Sequence, residues 1–322
     1  MKLVYSISEL SPYINWPYFY FAWQVHDPSE KSRLRHEAES LLSTLEGKYF
    51  AFALFELFPA HSSGDDIVIS SPPKLGGARG GLKNGFSRRI PCLRQQQGPP
   101  PYLCLSDFLA PLTAPVLRQA QEPHSTHSTV PEPVEGQGPL STLSTVPEPV
   151  EGPPSKFLIL NSQLGLFATS VSPGLESDFD SDPYLKMMTQ LLADRLAEAA
   201  AERMHEQVRK EFWGYSADEN LSIPDMLVEK FQGIRPAVGY PSLPDTSLNF
   251  IIDDLIDMKQ IGIRLTESGA MKPHASVSGL MLAHPQARYF SIGKIGEDQL
   301  LDYASRRGLP LELCRRFLAS NL

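Results

Sequence analysis

Nine residues, Ser128-Thr-Val-Pro-Glu-Pro-Val-Glu-Gly136, recur identically as Ser144 to Gly152, sixteen residues further on. Each copy is broken by prolines, which lack a backbone donor and fix φ. Two such copies cannot build a stacked solenoid, which needs about three units or more with a buried face. The surrounding stretch, Thr113 to Ser155, is rich in Pro, Ser, Thr and Glu and poor in large apolar side chains. It cannot bury enough surface to offset the entropy of ordering it, which predicts a disordered insertion over 113–155, with a docking segment as the functional alternative. A compact fold must then be assembled from the two flanks, 1–112 and 156–322. A second loose stretch is expected at 71–90, where Leu75 to Asn84 is Gly-rich but lacks the spaced Gly-Lys-Ser/Thr of a phosphate loop.

The bulk numbers narrow the partners. A chain of 322 residues is one large domain or two ordinary ones. Its 29 Lys and Arg against 37 Asp and Glu leave a net charge of −8, and there is no basic run. That balance argues against nucleic acid and anionic membrane as partners. The longest apolar run, Tyr49 to Phe58, is too short to span a bilayer and contains Glu56. No secretory signal pattern opens the chain. Cys92, Cys104 and Cys314 are odd in number and widely spaced, matching neither a disulfide framework nor a metal clip, so inert buried thiols in a reducing cytoplasm are expected.

Element signals cluster by type. Pro28 to Leu45 reads as a helix, and Tyr49 to Leu57 and Asp66 to Ser70 read as strands. A long helix opens at Asp182-Pro183, an acidic cap followed by Pro at the first helical position, and runs to about Trp213 before Gly214. Ser222 opens a short helix closed by Gly233, and Leu248 to Met258 forms another closed by Gly262. Ile263 to Thr266, Ser276 to Leu282 and Arg288 to Ile292 look like strands, the last two joined at His284-Pro285-Gln286 as a hairpin. Helices over Glu297–Arg306 and Leu311–Ser320 finish the chain. Clustered elements favour an α+β fold over a doubly wound one.

The candidate chemistry centres on Gly233-Ile-Arg-Pro-Ala-Val-Gly-Tyr-Pro241. No helix or inner strand tolerates Pro236, Gly239 and Pro241 in such order, so the backbone is a rigid extended loop lending Arg235 and main-chain groups to whatever lies beside it. That suits a small molecule with a carboxylate and a flat ring; an ordinary connector is the alternative. Glu198 shares a helix face with Leu191, which could put it at the margin of the core, but Asp194, Glu198 and Glu202 at four-residue spacing also read as a solvated stripe, the reading periodicity favours. Glu229, six residues before Arg235, reads as its structural ion-pair partner. The eight histidines form no ligand set, and no metal is assigned. The hydroxyl-rich run Ala275-Ser-Val-Ser-Gly279 lacks the elbow and His of a serine nucleophile and fits close packing or a ligand against backbone.

Taken in order, Leu191 to Leu221, Gln232-Gly-Ile-Arg-Pro-Ala-Val-Gly-Tyr-Pro241, Leu265-Thr-Glu-Ser268, Ala275-Ser-Val-Ser-Gly279, Ala283-His-Pro285, Ala287-Arg-Tyr-Phe290 and Phe317-Leu-Ala-Ser-Asn-Leu322 resemble the activation domain of cobalamin-dependent methionine synthase. Tyr13-Ile-Asn-Trp16, Leu57-Phe-Pro-Ala60, Gly64-Asp-Asp-Ile67, Leu93-Arg-Gln-Gln96 and Leu105 to Pro111 agree more loosely. The resemblance implies a single C-shaped α+β domain with a twisted antiparallel sheet flanked by helices, its N-terminal part at 1–112 and its C-terminal part, with the ligand site, at 156–322. It implies a protein that binds S-adenosylmethionine and presents the methyl group to cobalamin, carried by a partner methionine synthase subunit, during one-electron reduction by a flavodoxin- or ferredoxin-type donor. A non-catalytic docking or corrin-shielding module, or a reactivator of another corrinoid methyltransferase, is the alternative. On this resemblance Arg235 clamps the ligand carboxylate. The backbone of Arg235 to Tyr240, with Ala237 and Gly239, lines the adenosine, Tyr289 and Phe290 close the far side, and Glu198 and Glu229 put negative charge near the sulfonium. Asn15 stands where the family usually has Asp, and Lys272 and His274 replace aromatic and small residues near the corrin contact. The family's upstream modules have no counterpart before Tyr5, so a free-standing cytoplasmic subunit is expected.

Overall fold

A computed structural model of the chain describes residues 1–71, 86–112 and 162–322. The Pro-rich repeat and the Gly-rich run at 75–84 lie outside the described residues. Part of the stretch expected to be loose, 71–90, is ordered: Phe86–Pro91 pairs as a strand.

The chain opens with β1 (Lys2–Tyr5), α1 (Ile7–Leu10), α2 (Trp16–Ala22) and α3 (Pro28–Leu45). It continues through β2 (Ala51–Ser63), β3 (Asp66–Ser71), β4 (Phe86–Pro91) and β5 (Gln163–Val171). Then come α4 (Pro183–Gln207), α5 (Ile223–Leu227), α6 (Leu248–Ile256), the ribbon β6 (Arg264–Leu265) and β7 (Met271–Lys272), β8 (Ser276–Met281), α7 (Glu297–Arg307) and α8 (Leu311–Phe317). The main sheet is antiparallel in the order β4-β3-β2-β5-β8, and β1 also pairs with β2. The fold is α+β, with helices clustered on an antiparallel sheet.

Side-chain alternation explains the layering. Along β5, Phe167 and Val171 join one apolar cluster with α2, α3 and α4, while Leu164, Leu166 and Ala168 join a second with α6. Successive strand residues point to opposite faces, so β5 carries helices on both sides and is buried almost throughout. α4 lies close on its face because Ala193, Ala197, Ala200 and Ala201 present no bulk, and Thr169 Oγ1 reaches the Ala197 carbonyl at 2.9 Å. Asp182 caps that helix by accepting from the N–H groups of Tyr184 and Leu185, an arrangement worth about 1 kcal/mol. A π-helical turn, Val208–Phe212, continues α4 and Gly214 ends it at φ 73°. All three cysteines are buried thiols.

The differences from the sequence expectation that bear on the site are two helix ends and one absent strand. α5 stops at Leu227, well before Gly233, because Glu229 turns to a left-handed φ of 61°. α6 stops at Ile256, and a 3-10 turn, Met258–Ile261, separates it from Gly262. Residues 288–292 form no strand, so no hairpin follows β8. The free edge of β8 is taken instead by the 233–241 loop: Ile234 and Leu282 exchange backbone hydrogen bonds at 2.9 and 3.0 Å, and Val238 N–H bonds Ser278 O at 2.8 Å. The 288–292 segment crosses over that loop, with Ile292 N–H on Pro241 O at 2.9 Å.

Candidate functional site

The close docking of the loop on β8 depends on two glycines. A Cβ on Gly279 would lie 2.2 Å from Pro236 O, and one on Gly233, which has φ 84°, would lie 2.4 Å from Leu282 O. Both contacts are with backbone, so neither can relax cheaply. Pro236 has no N–H, but its carbonyl accepts from Leu280 N–H at 3.0 Å. The rigid extended backbone read from the prolines is thus an edge segment fixed to the sheet, and Arg235 is held by both its neighbours.

Beside this segment lies a cavity of about 600 Å³. α4 contributes Arg195, Glu198 and Glu202, and the chain after α5 contributes Glu229. The loop contributes Arg235 to Ala237 and Tyr240 to Ser242, and the crossing segment contributes Tyr289 to Ser291. Tyr13, Asn15 and Tyr18 close it from the N-terminal end, nearly the whole chain away in sequence. Of the residues singled out from sequence, Asn15, Glu198, Glu229, Arg235, Ala237, Tyr240, Tyr289 and Phe290 line this one cavity. Gly239 does not line it; at φ 89° it shapes the turn behind, bonding Leu243 O at 2.8 Å.

Arg235 is the hub. Its N–H donates to Tyr289 Oη at 2.9 Å, and Nη2 donates to a Glu202 carboxylate oxygen. The guanidinium lies over the Phe167 ring, 5.7 Å from its centroid. Its Nε is buried with no hydrogen-bond partner among the described residues. Burial works against the charge, and Glu202, Tyr289 and Glu198 hold it in place. Tyr240 Oη donates to Glu198 Oε1 at 2.8 Å. Burial pushes the Tyr289 phenol up to about 12, and burial and Glu198 push Tyr240 up as well, so both stay protonated.

The solvated-stripe reading of α4 does not hold for this face. Glu198 and Glu202, four residues apart, both point at the loop, and Glu202, given no role from sequence, is the residue Arg235 actually grips. The expected Glu229–Arg235 ion pair is replaced by that contact. Glu229 instead feels burial first and Glu202 second, both raising its pKa against Arg235. A non-glycine in its left-handed backbone costs about 1–3 kcal/mol, and such strain concentrates at functional positions. Asn15 occupies the N-cap position of α2 but makes no capping hydrogen bond with its side chain. Asp194, the third member of the stripe, lies 3.6 Å from His274 Nδ1, with Glu176 completing the group. Glu176 already accepts from the backbone N–H groups of His274 and Ala275, which gives the cluster a structural task.

Comparison with known proteins shows the family and the fold. The chain belongs to the family of activation domains of vitamin B12-dependent methionine synthases, whose profile matches residues 6–117 and 157–308. A crystal structure of the MetH reactivation domain bound to AdoHcy is 33% identical, with a TM-score of 0.75, over 100% of this chain and 90% of that one. The family match breaks off over 118–156, where the Pro-rich repeat lies. Among the described residues, no helix is long and apolar enough to cross a membrane.

Proposed function

We propose that the cavity holds S-adenosylmethionine and that the chain supports reductive reactivation of a cobalamin-dependent methionine synthase in methionine biosynthesis. The observation that carries this reading is Arg235: a buried guanidinium with an unpartnered Nε, at the wall of a carboxylate-lined cavity, in a family with an AdoHcy-bound relative. A cavity of about 600 Å³ suits a ligand of that size. Arg235 takes the amino-acid carboxylate, and the uncapped Asn15 side chain accepts from the ammonium. Ala237, Gly239 and Tyr240 offer backbone along the adenosine, and Tyr289 and Phe290 close the opposite wall. Glu198 and Glu229 favour the cationic sulfonium over a neutral sulfur. The protein's contribution is to fix the methyl group outward and to exclude water around it. Cobalamin, on a partner chain, would supply the attacking nucleophile, and a flavodoxin- or ferredoxin-type donor the electron. Residues 1–112 and 156–322 form one activation domain interrupted by an insertion at 113–155, and a cytoplasmic location is consistent with three unpaired, buried thiols.

Calorimetry tests the site: Arg235→Ala weakens S-adenosylhomocysteine binding about 100-fold, the effect of losing a buried charge-assisted clamp. Spectroscopy tests the activity. Mixed with a cob(II)alamin-loaded partner, reductant and S-adenosylmethionine, the chain yields methylcobalamin. Ligand binding with no such product would leave a docking or corrin-shielding role.

A further inference from the structure

Glu202 has no place in the ligand set above, yet it is the carboxylate that Arg235 holds. We infer that Glu202 is an internal counter-ion, which occupies Arg235 in the free protein and must yield it to the carboxylate of the incoming ligand. The inference rests on the reading of the cavity as an S-adenosyl-ligand site.

A guanidinium grips a carboxylate best along one edge, with two parallel N–H donors. On the Nε–Nη2 edge of Arg235, Glu202 uses Nη2 and leaves Nε without a partner. A ligand carboxylate claiming that edge therefore meets Glu202 already on it. Two carboxylates on one edge repel, and Glu198 and Glu229 line the same cavity, where the one further lining cation among the described residues, Arg195, lies over the Tyr18 ring at 5.8 Å. The partners differ in exposure: the Arg235 side chain is 7% exposed and Glu202 20%. An unpaired guanidinium at that depth is costly, whereas Glu202 can swing toward water. Glu202 is thus the member of the pair that moves. It keeps the empty site electrostatically complete and sets a competition that lets the spent ligand leave.

The experiment is calorimetric titration of the full chain with two probes. S-adenosylhomocysteine carries the amino-acid tail; 5′-methylthioadenosine has the adenosine and sulfur without it. Glu202→Gln should tighten S-adenosylhomocysteine about tenfold, equivalent to about 1.4 kcal/mol, and change 5′-methylthioadenosine by less than about twofold. Unchanged or weaker binding of the tailed probe, or equal tightening of both, overturns the inference. If circular dichroism shows that Glu202→Gln does not fold, Glu202→Asp serves. It keeps the charge but draws it back by one methylene, and should tighten the tailed probe about threefold; no gain overturns the inference. Wild-type protein that binds neither probe removes the proposed function as well. Wild-type binding that ignores Glu202 removes only the counter-ion.

Discussion

Two buried arginines, twenty-six residues apart, show how the same chemistry serves two ends. Arg209, in the π-helical turn after α4, is 0% exposed and Glu219 is 7% exposed. Both atoms of its inner edge are used: Nε to Glu219 Oε2 at 2.8 Å and Nη2 to Oε1 at 2.6 Å, with the Phe231 ring centroid 4.1 Å away. Arg235 uses only one atom of the equivalent edge and faces a cavity. On that edge the first pair is complete, although Arg209 Nη1 is buried without a hydrogen-bond partner among the described residues. The second is left half-made. A buried ion pair is weak evidence for stability, and what distinguishes these two is that one edge is fully paired in the interior and the other is half-paired at a cavity wall.

That contrast can be broken. Glu219→Ala strands the Arg209 charge in the interior and should cost about 3–5 kcal/mol in urea unfolding, while Glu202→Ala should cost less, because Arg235 lines a cavity and keeps the Glu198 charge nearby. Equal losses would erase the distinction. Gly279→Ala pushes the loop off β8 and should cost about 1–3 kcal/mol of stability while weakening S-adenosylhomocysteine, with the Arg209 pair untouched; a variant with wild-type stability and affinity would show that the loop is not held this way. Asn15→Asp restores a charge opposite the proposed ammonium and should tighten the same ligand about fivefold in calorimetry, since hydrogen bonds to charged groups are the stronger kind. An unchanged affinity would place the ammonium elsewhere.

The smallest effect is in pH. His205 lies between the two guanidiniums: burial first, then Arg209 and Arg235, hold its pKa well below the ordinary 6.5. The folded state therefore binds this proton less readily than the unfolded chain. Stability from this group is full above 6.5 and is lost as pH falls below it. Thermal melts from pH 7 to 5 should show a decline that His205→Gln flattens; a parallel decline in the variant would assign the loss to other groups.

Much of the frame was legible because its signals are local. Asp182-Pro183 announces α4, Gly214 ends it, and Pro236 with Gly239 and Pro241 makes the loop extended, each through dihedral limits within a few residues. The failures that bear on the site are long-range. Residues 288–292 have strand-like composition, but whether a strand forms depends on a vacant edge, and β8 had already given its edge to residues 234–238. Periodicity placed Glu198 and Glu202 on one face of α4 without saying what faced them, so a stripe destined for Arg235 read as solvated. Tyr13, Tyr18 and Arg195 carry no pattern of their own; only the docking of α2 on α4 brings them to the cavity.

The segment lying along β8 has one more effect. A sheet margin is usually an invitation, because its spare amides can recruit a strand from another molecule. Here Pro236 has no amide to offer, and the amide of Arg235 is spent on a tyrosine hydroxyl. The margin nearest the cavity therefore offers little to a strand from another copy.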